Sequence, residues 1–168
     1  MADDTPVLIP LRSNKYPGLY AIVDAEDAPL VLSFRWRVAK DHNTFYAYRV
    51  VPHYKRDNLP CAQAMHRFVL NAKKGTMIDH RNRNGLDNRK SNLRYTTNLL
   101  NQGNSCLRKN ASGYRGVRKQ GSRWSAYIRR DGKVARLGMF DSPIDAAKAY
   151  DEAARNKYGE FATTNFGE

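Results

Sequence analysis

"IDHRNRNGLDNRKSNL", residues 78–93, is the stretch on which the fold and the chemistry turn. Asn, Asp, Gly and Arg fill turns for local backbone reasons, so one reading is a long polar turn. The other is a nuclease site, because an Asp-His pair opens the stretch and Ser-Asn-Leu closes it. Met77-Ile78 before the loop and Leu93-Arg94-Tyr95-Thr96 after it predict two short strands bracketing an Ω-like excursion.

Phosphodiester hydrolysis needs a deprotonated water, a cation against the developing charge, and a frame that holds both in line. His80 is the candidate base, because imidazole titrates near neutral pH. Asp79 offers a carboxylate oxygen to Mg²⁺ or another divalent cation such as Mn²⁺. Asn101, on a short helix predicted at "NLLNQGN" (98–104), can offer an amide oxygen as second ligand. Asn92 lies between them, and its amide can both donate and accept, so it can tie the loop backbone together. His66 is expected to make a structural hydrogen bond near the site, and His42 and His53 to be solvated.

Upstream, LYAIVD (19–24), FRWRVAK (34–40) and FYAYRVV (45–51) read as strands of a small antiparallel sheet. "QAMHRFVLNA" (63–72) has helical spacing at Met65, Phe68 and Val69 and ends near Gly75. Downstream, residues 105–112 form the predicted linker in a polar, glycine-containing stretch. GYRGVRKQ (113–120), RWSAYIRR (123–130) and KVARLGMF (133–140) then predict a three-stranded sheet, with Asp-Gly as a hairpin signal in the second turn. In "SPIDAAKAYDEAARNKYG", Ser142 caps, Pro143 suits the first turn and Gly159 stops a helix whose Ala and Tyr stripe packs on that sheet. On the middle strand Trp124, Ala126 and Ile128 alternate with Arg123, Ser125, Tyr127 and Arg129, so the second face is basic; Arg136 joins it. Val117 breaks strict alternation, which a bulge at Gly116 resolves.

The charge fits that layout. The 168 residues carry 29 Lys and Arg against 16 acids, a net +13, pointing to a polyanionic partner. The first 64 residues are nearly balanced (8 basic, 7 acidic), whereas residues 109–136 hold 9 bases and one acid, Asp131. Double-stranded DNA is the expected partner, with Arg115, Arg118, Lys119, Arg123, Tyr127, Arg129 and Arg136 on the sheet and Arg81, Arg83, Arg89 and Lys90 in the loop. The 2 cysteines form no C-x-x-C pair, so no structural zinc, disulfide framework or small-molecule cofactor is expected. Without a long apolar run, no membrane partner is expected, and the expected location is cytoplasmic, associated with the nucleoid, or the host cytoplasm if phage-encoded.

The order "MHRFVLNA", "IDH", "GLDNRKSNLR", "NLLN" resembles the HNH homing endonucleases whose signature ends in Asn, over about residues 64–104. The resemblance implies a ββα-metal fold in which His80 is the general base, Asn92 fixes the loop, and Asp79 and Asn101 hold the metal. Arg81 departs from the apolar residue usual there. "YRGVR", "LGMF", "AAKAYDEAA" and the terminal "NF" are similar to an AP2/ERF DNA-binding domain, which implies a sheet laid in the major groove. Arg136 and Tyr127 stand where plant members carry Trp and an acid, so their base preference does not transfer.

The expected protein is α+β: an HNH nuclease domain with a β lead-in (1–104), the linker (105–112) and an AP2-like domain (113–168). It is expected to nick DNA site-selectively as a monomer or weak dimer. The rivals are a non-catalytic DNA-binding regulator with a relic nuclease fold, and an RNA-binding protein, against which the lack of an aromatic ladder counts.

Overall fold

The computed structural model describes residues 5–41, 43–52, 61–104, 110–130 and 133–167. His42, His53, Cys106, most of the linker and the Asp131-Gly132 turn lie outside them. Among the described residues the chain is α+β with four small antiparallel sheets, and it packs as two units, Met1–Thr96 and Thr97–Glu168. Among the described residues no helix is long and apolar enough to cross a membrane.

In the first unit β1 (Val7–Pro10) pairs with β2 (Tyr20–Val23), and β3 (Arg37–Asp41) with β4 (Thr44–Val50), which also pairs with β5 (Ala62–Ala64). β1 and β5 were not foreseen, nor was α1 (Ala28–Leu32), and β3 begins at Arg37, later than the expected 34–40 strand. Trp36 accounts for the later start. Its Nε1 donates to the Val31 carbonyl at 2.8 Å, anchoring the residues before β3 to the end of α1. Trp36 is buried with Ile9, Val23, Val31 and Met65 in one core. α2 (Met65–Val69) is shorter than the expected 63–72 helix, and Asn71 follows it at φ 44°. β6 (Met77–His80) and β7 (Leu93–Thr96) then pair antiparallel, with His80 opposite Leu93.

In the second unit β8 (Val117–Gln120), β9 (Arg123–Arg130) and β10 (Lys133–Phe140) form a sheet in the order β10-β9-β8. α4 (Pro143–Tyr158) starts at Ser142, whose hydroxyl accepts from the Ile144 amide at 3.1 Å. Its Ala146, Ala147, Tyr150 and Ala154 are buried against Val117, Ala126 and Ile128. α3 (Asn98–Gly103) also packs here: Leu100 lies on the Tyr158–Phe161 cluster and Gly103 accepts from the Thr163 amide at 3.0 Å. The boundary between units thus falls ahead of α3, not at residue 104 as the sequence suggested.

Gly116 sits at φ 74°, and a Cβ there would lie 2.0 Å from the Tyr150 ring. The irregularity lets β8 begin at Val117 with that side chain turned inward. Gly116→Ala would meet both a left-handed backbone and a filled space. A loss of about 2 kcal/mol or more is expected, read as a lower urea midpoint.

Candidate catalytic site and candidate DNA-binding face

The 78–93 loop is held from several sides. Ile22 on β2 donates to the Leu86 carbonyl and accepts from the Asn88 amide, both at 2.7 Å. Gly85 presses on β4, where a Cβ would lie 2.4 Å from the Phe45 carbonyl and 2.6 Å from the Tyr46 ring. Within the loop, Asn92 Nδ2 donates to the Asp87 carbonyl at 2.7 Å, and Asn92 Oδ1 accepts from the Asn82 amide at 3.0 Å. Asn92 thus ties the two sides of the excursion with both ends of its amide.

Asp87 and Asn88, which sequence reasoning passed over as ordinary turn residues, are among the most buried groups in the chain. The Asp87 carboxylate accepts from Arg89 Nε at 2.8 Å, Arg89 Nη2 at 2.7 Å and Asn82 Nδ2 at 2.8 Å. The Arg89 bonds hold the carboxyl below the usual carboxylate range, against the opposing effect of burial. Arg89 and Lys90, expected to grip phosphate, are therefore engaged at home. Lys90 Nζ pairs with Glu26 at 2.6 Å and Asp27 at 2.9 Å, while its amide donates to Asp24 Oδ2. Arg81 and Arg83 remain exposed on the outer turn, with Arg83 at φ 62°.

Asp79 and His80 end β6 side by side, both buried. Arg94, opposite Asp79 on β7, gives Asp79 Oδ2 two bonds, from Nε at 2.9 Å and from Nη2 at 2.8 Å. This ion pair, 7% and 9% exposed at the side chains, was not anticipated. Burial pushes the His80 imidazole down; the Asn88 side chain and the charges of Asp79 and Asp87 pull it partly back. The ring lies 5.2 Å from the His66 ring and 5.7 Å from the Tyr46 ring, centroid to centroid. Burial raises the Tyr46 phenol, helped by the charges of Asp41 and Asp79.

His66, expected to make a structural hydrogen bond, instead packs its ring on these aromatics. Burial, then the charges of His80 and Arg67, lower it from 6.5 to about 3. Between those two values the unfolded chain binds a proton that the fold refuses, so stability is full above the unfolded value and falls as pH drops. The slope contributed is at most ~1.4 kcal/mol per pH unit. Urea midpoints should fall from pH 7 to pH 5, with a shallower fall in His66→Phe.

Asn101, the expected second metal ligand, is an exposed residue of α3 and belongs to the second unit, while Asp79, His80 and Asn92 come together in the first. Among the described residues no group of three or more His, Cys, Asp or Glu side chains gathers as a metal cluster. At the end of β6 the one carboxylate, Asp79, offers a hard oxygen that Arg94 already engages.

On the second unit's sheet, register sorts the cations. Arg118 pairs with Ser125, which pairs with Met139, and Tyr127 pairs with Arg136; Arg123 and Arg129 alternate onto the same face. The Arg118 guanidinium lies 5.5 Å over the Tyr127 ring, and Arg123 pairs with Asp141 at 2.7 Å. Two expected DNA contacts fall elsewhere. Lys119, opposite Trp124, lies on the helix side with its Nζ 5.8 Å over the Trp124 ring. Arg115 precedes the strand, and its guanidinium is taken up by the Gln102 carbonyl at 3.3 Å and the Tyr150 ring at 5.9 Å. The first follows from Val117, two residues earlier, facing inward, and the second from the strand starting after Gly116.

No protein-family model matches the chain. Over 150 residues, 88% of the chain, it is 26% identical to an uncharacterized HNH endonuclease of Acanthamoeba polyphaga mimivirus, covering 75% of that protein. Over 58 residues, 33% of the chain, it is 47% identical to Dehydration-responsive element-binding protein 2A of Oryza sativa subsp. indica. Over 56 residues, 32% of the chain, it is 54% identical to Ethylene-responsive transcription factor 3 of Nicotiana tabacum. It spans 21% and 25% of those two plant relatives. The chain is therefore similar both to an HNH endonuclease and to AP2/ERF DNA-binding proteins.

Proposed function

We propose that the chain is a site-selective, divalent-metal-dependent DNA endonuclease of the HNH homing type, which nicks one strand per visit. The observation that carries this reading is His80, depressed by burial and therefore neutral at pH 7, at a strand end beside Asp79, with Asn92 fixing the loop behind it. Neutral His80 takes a proton from the attacking water. Asp79 would hold Mg²⁺ or Mn²⁺, and a cation bound there would supply stabilisation of the charge on the departing 3′ oxygen. Arg94, which pairs with Asp79 Oδ2, would share that carboxylate with a bound cation. Arg81 and Arg83 contact phosphates beside the cut.

The open sheet face of the second unit selects the site, with Arg118, Arg123, Tyr127, Arg129 and Arg136 toward the major groove of double-stranded DNA. Arg118→Ala should weaken binding to a selected duplex by about ten- to a hundredfold and reduce the salt slope by about 1. Fluorescence anisotropy across a salt series checks this; normal affinity would remove the sheet from the groove. The protein is expected to act on DNA in the cytoplasm, as a monomer or weak dimer.

The engagement of Asp79 by Arg94 favours one rival, a DNA-binding regulator without catalysis. Supercoiled plasmid incubated with Mg²⁺ or with chelator separates the two. Nicked circles only with Mg²⁺ support the nuclease, and intact plasmid throughout, with retained binding, supports the regulator.

A further inference from the structure

The His80 imidazole turns about an sp³–sp² torsion, which is broad and only roughly two-fold, so its rotamer alone does not aim the ring. Beside the Asn88 side chain, which hydrogen-bonds the imidazole, neighbouring rings contribute. His80 has two: Tyr46, tilted at 59°, and His66, nearly perpendicular at 87°. Tyr46 and His66 also touch each other, with centroids 6.0 Å apart. The three rings therefore form a closed set.

His66 is itself well fixed. Met65 before it is wholly buried in the first unit's core. Arg67 after it donates Nη1 to the Thr76 carbonyl and Nη2 to the Lys73 carbonyl, both at 2.6 Å. The short helix is thus pinned on both sides of the ring. Since burial keeps His66 uncharged, it neither repels a protonated His80 nor competes for its proton.

We propose that His66 is a positioning residue for His80, its ring edge-to-face on the imidazole and fixing the plane in which His80 meets the attacking water. This rests on the nuclease reading above. Small misplacements of a catalytic group cost up to about a hundredfold in rate without changing affinity.

The test compares wild type, His66→Ala and His66→Phe in the full chain. His66→Ala should lower the single-turnover nicking rate about ten- to a hundredfold, with KM for DNA unchanged. His66→Phe, which restores a ring without nitrogen, should recover most of that loss. A wild-type rate in His66→Ala, or a His66→Phe rate as low as that of His66→Ala, would overturn the proposal. If His66→Ala fails to fold, His66→Leu, which keeps bulk without a ring, makes the same comparison. The Cε1–H resonance of His80, read by NMR without DNA or metal, provides an arm independent of activity. Loss of the ring should move it toward the free-imidazole position, and an unmoved resonance would overturn the proposal even if the wild type proved unable to cut DNA. Absence of cutting with a moved resonance would sink the nuclease reading alone.

Discussion

Arg94→Ala is expected to destabilise the first unit by about 3–5 kcal/mol, a larger loss than any other single substitution considered. The reason lies in burial. Asp79 and Arg94 face each other across β6 and β7 almost out of solvent, with two bonds converging on Asp79 Oδ2. Removing the guanidinium takes two charge-assisted hydrogen bonds from a largely buried carboxylate. Thermal unfolding should show the midpoint lowered by more than about 10 °C. Replacing both partners by apolar residues should recover much of the loss, because desolvation of the pair then no longer has to be offset. A midpoint for Arg94→Ala within about 2 °C of wild type would show that the pair does not hold the hairpin together.

His80→Ala is expected to lower the cleavage rate by about 10²–10⁴ while leaving DNA affinity unchanged. Only the neutral imidazole can accept the proton of water, and burial displaces His80 below its ordinary value. The acid limb of the rate should therefore be centred below the ordinary imidazole value, with the rate falling as pH drops through it. As pH rises from there, the rate reaches a plateau that His80 does not limit. A single-turnover pH–rate profile checks this. An acid limb centred at or above about 6.5 would place the base in a solvated environment at odds with the structure.

Much of the second unit was legible in the sequence because local signals agreed with one another. The alternation of Trp124, Ala126 and Ile128, the Ser142 cap and the Ala/Tyr stripe of α4 all point to a sheet under a helix, and β9, β10 and α4 follow them. Where one residue resets the phase, the reading slipped. Gly116 delays β8, so Arg115 precedes the strand, and Lys119 keeps the phase of inward Val117 on the helix side instead of joining the basic face. In the loop, the tying role of Asn92 could be read from an amide that donates and accepts. The burial of Asp87 and Asn88 could not, since it depends on Ile22 of a distant strand. Arg94 gave no signal either, because a cation in a four-residue strand looks solvated until its partner across the ladder is known. α3 shows the same limit: six residues between two units carry nothing in their own pattern to say which unit they pack on.

The central claim is that His80 is the base of a DNA-cutting site. Its most direct test is the single-turnover nicking rate of supercoiled plasmid with saturating protein and Mg²⁺, for wild type and His80→Ala, with DNA affinity measured in the same buffer. Nicked circles from the wild type, a rate at least about a hundredfold lower for His80→Ala and equal affinities are the predicted result. Equal nicking by both proteins would contradict it.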